Sequence, residues 1–165
     1  MTTVTFQGNP LKIGGELPSV GSLAPDFELV KGDLSSLKLT DLAGKKVILN
    51  IFPSMDTPTC ATATKKFNEK VSKHSNVVIV CASVDLPFAQ GRFCAAEGLD
   101  KVIPVSAFRN DDFGKDYGVI ITDGPLTGLF SRAIVLIDES GQVVYTEHVS
   151  ELGDEPNYDA VFGVL

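Results

Sequence analysis

The sequence predicts an α/β fold with a mixed central sheet flanked by helices and preceded by a β-hairpin. Three observations carry this. Two near-continuous apolar runs, Val47 to Ile51 and Val77 to Val84, have the length and β-branched content of strands buried on both faces. Each is followed by a segment with helix-start signals, so βαβ crossovers set the two strands side by side and parallel. Later, Ala133 to Asp138 and Gln142 to Thr146 flank Glu139-Ser140-Gly141 as an antiparallel hairpin, which makes the sheet mixed.

The elements follow in order. Val4-Thr5-Phe6 and Leu11-Lys12-Ile13 flank Gln7-Gly8-Asn9-Pro10, a hairpin placed within residues 1–15 as an N-terminal extension of a single domain, 1–165. Asp26 to Val30 alternates and predicts a strand. Lys45 to Phe52 is the first buried strand. Thr57 to about Lys73 is a helix, its Ala61, Phe67 and Val71 apolar and its Lys65, Lys66, Glu69 and Lys70 solvent-facing. After the strand at Val77, Asp85 is positioned to cap a helix with Pro87 in its first turn and Gly98 at its stop. Val102 to Val105 is a shorter strand and Asp112 to Tyr117 a short helix. Asn157 caps a terminal helix from Tyr158. This βαβ…ββα order is that of a thioredoxin-like domain.

Composition bounds the function. A chain of 165 residues with 44% hydrophobic residues can bury a full core. A net charge of −7 argues against nucleic acid or an anionic membrane surface as partner. The opening residues lack the basic and apolar regions of a secretory signal, and the longest apolar run is too short to span a bilayer, so a cytoplasmic protein is expected. Cys60, Cys81 and Cys94 form neither a C-x-x-C pair nor an even disulfide framework.

Cys60 is the candidate nucleophile. Thr57 is a good N-cap and Pro58 suits the first helical position, which puts Cys60 third in the helix. There its sulfur faces unpaired backbone N–H groups and the positive end of the helix dipole. Such a setting favours the thiolate, the reactive form of cysteine.

Pro53-Ser54-Met55-Asp56-Thr57-Pro58-Thr59-Cys60 fits the pattern Pro-x-x-x-Thr/Ser-x-x-Cys. With Arg132 ahead of a late apolar strand, and Cys94 in Gly91-Arg92-Phe93-Cys94, the whole chain resembles the peroxiredoxins. It is most similar to their atypical two-cysteine, thiol peroxidase branch. The resemblance implies a thiol-dependent peroxidase that reduces hydrogen peroxide and alkyl hydroperoxides. Cys60 would become a sulfenic acid. Arg132 would stabilise the thiolate and the peroxide, Thr57 would orient either one, and Pro53 would wall off water. Cys94 would resolve the sulfenic acid as a disulfide with Cys60, thioredoxin would recycle it, and the enzyme would be a homodimer without cofactor. Because both cysteines lie in separate helices, a local unfolding step is expected, eased by Gly91 in mid-helix.

Other readings of the same residues stay in view. Cys81 in its apolar strand is a packed core thiol. Cys94 alone could be a packed helix face, and Arg132 alone a solvated side chain. A thioredoxin-like redox-sensing or disulfide-exchange protein is one alternative, which the missing C-x-x-C disfavours. A cysteine hydrolase is another, and it needs His74 or His148 within reach of Cys60. Neither histidine has metal-ligand spacing with a cysteine, so no metal is expected. Gly124 to Phe130 is a turn-rich loop with apolar residues free to line a pocket or an interface.

Overall fold

The computed structural model describes residues 2–165; the reading of the domain as beginning at Met1 therefore reaches one residue outside the described chain. A two-stranded hairpin, β1 (Thr2–Phe6) and β2 (Asn9–Ile13), stands apart from a seven-stranded sheet. The sheet contains β3 (Glu28–Lys31), β4 (Ser36–Lys38), β5 (Lys46–Ile51), β6 (Val77–Ser83), β7 (Val102–Ser106), β8 (Ala133–Ile137) and β9 (Val143–His148). Their spatial order is β4-β3-β7-β6-β5-β8-β9. The helices are α1 (Pro58–Val71), α2 (Pro87–Glu97), α3 (Phe113–Asp116) and α4 (Tyr158–Gly163).

The two apolar runs are central and parallel, pairing Val47 with Val78 and Asn50 with Cys81. The late hairpin closes one side, β8 running antiparallel to both β5 and β9. The mixed α/β architecture expected from the pattern is the one observed.

Side-chain alternation along these strands separates two cores. Val47, Leu49 and Ile51 of β5, with Val80 and Ala82 of β6, point to one face, where Phe113 and Tyr117 pack against them. Ile48, Ile79, Cys81, Ile134 and Leu136 point to the other, against Phe67 of α1, Cys94 of α2 and Val161 of α4. Both faces are covered, as strands of continuous apolar character require.

Several expected boundaries move. The strand foreseen from Asp26 begins at Glu28, where its ladder with Lys38 starts, while the Pro25 carbonyl accepts a hydrogen bond from the Tyr117 hydroxyl at 2.6 Å. β4 and the 3-10 turn Leu39–Leu42 carried no periodic signal of their own. Asp85 does not cap α2. Leu86 holds the N-cap position without any side-chain cap, because three donors draw the Asp85 carboxylate elsewhere: Ser54 Oγ at 2.7 Å, the Met55 N–H at 2.8 Å and Ser83 Oγ at 2.7 Å. The segment Gly124 to Phe130 turns its apolar residues inward. Leu126 and Leu129 pack on the cluster of Val4, Leu11, Ile13, Ile121 and Leu152, and Phe130 is buried against Phe113. Gly98 ends α2 with φ +65°, a left-handed position that glycine takes without strain.

Candidate active site

β5 ends at Ile51, and the chain turns through buried Phe52 and Pro53 into α1. Thr57, with φ −116° and ψ 148°, is the N-cap and Pro58 opens the helix. Cys60 is consequently the third helical residue, and it is fully buried. The Thr57 carbonyl accepts the first intrahelical bond, from the Ala61 N–H at 3.0 Å. Its hydroxyl does not cap. Instead of accepting from the Cys60 N–H, it donates to the Ser54 carbonyl at 2.9 Å. A hydroxyl has one proton and two lone pairs, so this leaves the Thr57 oxygen free to accept.

Arg132 lies one residue before β8 and is 2% exposed. Alone, the residue type at a strand edge suggested a solvated side chain; the fold buries it. Its Nη2 donates to Cys60 Sγ at 3.3 Å. The guanidinium is braced by one backbone acceptor, the Leu152 carbonyl, which takes Nε at 3.1 Å and Nη2 at 2.9 Å. Nη1 is buried and has no protein partner. A buried cationic N–H without an acceptor is costly, and here it lies on the same guanidinium as the sulfur contact. The pair therefore sets a thiol sulfur and an unpartnered donor around one guanidinium.

A buried charge of this kind needs an anionic or polar counterpart. The Cys60 sulfur and the Leu152 carbonyl are its polar partners. No carboxylate forms an ion pair with Arg132 among the described residues. The first turn of α1 is tied down through Thr59, whose Oγ1 donates to the Gly153 carbonyl at 3.0 Å.

Cys94 sits on the inner face of α2, 8% exposed, and burial pushes its thiol pKa up. It belongs to the same apolar cluster as Cys60. All three cysteines are free thiols. A groove lined by Ser54, Met55, Asp56, Asp85, Phe88, Ala89, Arg92, Phe93 and Ala96 runs between the Cys60 loop and α2. Cys81 is fully buried: burial pushes its pKa up to about 12, against the opposing effect of the Asn50 amide. That amide donates to its sulfur at 3.7 Å.

The histidines fall elsewhere. The His74 ring lies against Phe162, with centroids 5.1 Å apart. His148 Nε2 is 2.6 Å from Ser131 Oγ, and burial lowers its pKa. Among the described residues neither hydrogen-bonds to Cys60, so the arrangement a cysteine hydrolase needs is missing. Sequence reasoning did not find the Leu152 carbonyl, the Asp85 contacts or the Thr59–Gly153 tie. The first and last rest on backbone oxygens, which have no residue signature.

A thioredoxin-like sheet presenting a helix-start cysteine against a buried arginine defines a thiol-active redox protein. The Redoxin family matches residues 19–162. Thiol peroxidases of Mycobacterium bovis and Mycobacterium tuberculosis are each 53% identical over 165 residues, spanning 100% of this chain and 99% of the relative. Among solved structures, a peroxiredoxin-like protein from Aquifex aeolicus superposes with a TM-score of 0.93 at 40% identity, covering 98% of this chain and 94% of that one. A thiol peroxidase from Chromobacterium violaceum gives 0.92 at 26% identity with the same coverage. The chain belongs to the thiol peroxidase branch of the Redoxin family.

Proposed function

We propose that this single-domain chain, with residues 1–15 as its hairpin extension, is a thiol-dependent peroxidase in which Cys60 attacks a hydroperoxide. One observation carries the reading. Arg132 donates through Nη2 to the Cys60 sulfur at 3.3 Å while its Nη1 is buried without a partner. The thiolate attacks the terminal peroxide oxygen; an S–O bond forms and the O–O bond breaks. Sulfur is oxidised by two electrons to the sulfenic acid, and the leaving oxygen departs as alkoxide or hydroxide, then takes a proton to become an alcohol or water. Arg132 is permanently cationic, so it can stabilise both the attacking sulfur and the charge growing on the leaving oxygen. The Thr57 oxygen, with lone pairs to spare, accepts from the incoming peroxide. Pro53, buried behind the loop, limits water at the sulfur.

Cys94 then attacks the sulfenic sulfur. A disulfide with Cys60 forms and water leaves. A disulfide requires Cα atoms within about 7 Å, and Cys94 is buried in an intact α2. Local opening of α2 accordingly precedes resolution. Thioredoxin supplies the two electrons that restore both thiols. Leu86, Phe88 and Phe108 are exposed at 52%, 68% and 45%, and Phe88 borders the groove beside the Cys60 loop. These exposed apolar side chains support a homodimer. No helix among the described residues is long and apolar enough to cross a membrane, and a cytoplasmic enzyme fits the free thiols.

The test is a coupled assay with thioredoxin, thioredoxin reductase and NADPH, run over hydrogen peroxide and a series of alkyl hydroperoxides. NADPH oxidation should follow peroxide and vanish in Cys60→Ser. A protein confined to redox sensing or disulfide exchange would exchange with thioredoxin yet show no peroxide-dependent turnover.

A further inference from the structure

The β1–β2 hairpin takes no part in the chemistry above, yet it is bonded to the peptide that holds Arg132. Thr5 in β1 makes two backbone bonds across the gap: its N–H donates to the Ser150 carbonyl at 2.8 Å, and its carbonyl accepts from the Leu152 N–H at 2.8 Å. The other side of that same residue, the Leu152 carbonyl, accepts both Nε and Nη2 of Arg132. Glu151 pins the junction with its two carboxylate oxygens. Oε1 accepts from Thr5 Oγ1 at 3.0 Å and from the Gly8 N–H at 2.9 Å. Oε2 accepts from the Gly153 N–H at 2.8 Å. The Leu152 side chain, 3% exposed, is seated among Val4, Leu11 and Ile13 of the hairpin.

Residues 150–154 form no strand or helix beyond one bridge to Thr5. Such a segment gains its rigidity from what it is tied to. We propose that Glu151 and the N-terminal hairpin position Arg132, by fixing the Leu152 carbonyl against its guanidinium. This rests on the peroxidase reading above. A carbonyl that accepts two adjacent N–H groups of a planar fork sets the plane of that fork. With the plane set, Nη2 points to the Cys60 sulfur and Nη1 stays free for the peroxide. Glu151 is a positioning residue: it touches neither sulfur nor peroxide and acts through Leu152 and Arg132. The lowered pKa of its carboxyl, caused first by the Gly153 and Gly8 N–H groups, is consistent with a carboxylate held by donors.

The experiment measures single-turnover oxidation of Cys60 by hydrogen peroxide in rapidly quenched samples, with the oxidised species read by intact mass. Glu151→Ala should lower the second-order rate constant roughly tenfold, within the 10²-fold that a misplacement of about 1 Å can produce. Thioredoxin reduction of the preformed disulfide should keep its wild-type rate. Glu151→Gln should recover part of the loss, since its amide oxygen still accepts from Thr5 and Gly8. Thr5→Val, isosteric and compatible with a strand, should show a smaller loss in the same direction and carries the test if Glu151→Ala does not fold. In an Arg132→Lys background, where the fork is gone, Glu151→Ala should add little. Wild-type rate constants in both Glu151→Ala and Thr5→Val would overturn the proposal, as would an undiminished Glu151→Ala effect without the arginine. Failure of the wild-type protein to oxidise at Cys60 would instead remove the peroxidase reading beneath it.

Discussion

At the residue scale, reactivity comes from contrasts among chemically identical thiols. Cys60 and Cys81 are equally buried, but Cys60 meets a guanidinium and a helix N-terminus, whereas Cys81 meets apolar strand neighbours and one amide. Burial penalises a thiolate unless charge or donors compensate, which is why the Cys81 pKa rises to about 12. Cys81→Ala should therefore preserve peroxide turnover and lower stability by about 1 kcal/mol, the usual scale of a core truncation this small. A large loss of kcat/KM, measured in the coupled assay, would contradict that division of roles. Arg132→Lys keeps a cation but loses the fork that grips Leu152 while reaching the sulfur. Its kcat/KM should fall by on the order of 10²-fold, comparable to removing one donor from a charge-stabilising site. Wild-type kcat/KM in Arg132→Lys would show that a point charge suffices.

At the scale of elements, α2 buries Cys94, and the proposed resolution step requires that it also release it. Gly91 lies one turn before Cys94, and a methyl added there would meet nothing within 4 Å. Gly91→Ala should stabilise the helix by about 1 kcal/mol and slow disulfide formation roughly fivefold, leaving the initial peroxide step unchanged. Intact-mass analysis of quenched samples separates the sulfenic acid from the disulfide; an unaltered disulfide rate would mean that α2 opening does not limit resolution. Elements also show what could be read in advance. β5, β6, α1 and the β8–β9 hairpin were legible because apolar runs and helix-start residues state them locally. β4 was not, since Ser36–Lys38 is too short for periodicity and pairs only because β3 is brought beside it. Asp85 was misread for a related reason: its spacing before Pro87 suggests a cap, but two of its three partners come from the distant residues Ser54 and Met55. The same boundary runs through the site. Cys60 and Thr57 are local features of one helix start, while the brace on Arg132 comes from a backbone carbonyl twenty residues later.

For the whole molecule, the relevant quantity is how folding free energy varies with pH, and one histidine contributes a definite sign. His148 ends β9 opposite Ala133 and contacts Ser131, the residue before Arg132, at 2.6 Å. Burial lowers its pKa below the ordinary 6.5. The unfolded chain then takes up a proton at a higher pH than the folded chain does. Stability rises with pH wherever the unfolded state binds more protons. The contribution of neutral His148 is thus fully present above 6.5, declines as pH falls through the interval between the unfolded and the lower folded value, and is gone below both. Denaturant midpoints measured across this range should decrease toward acid in the wild type. His148→Gln, which keeps a hydrogen-bonding group near Ser131 but cannot titrate, should remove part of that slope. An identical slope in the variant would show that His148 is protonated alike in both states, and that its burial carries no linkage to folding.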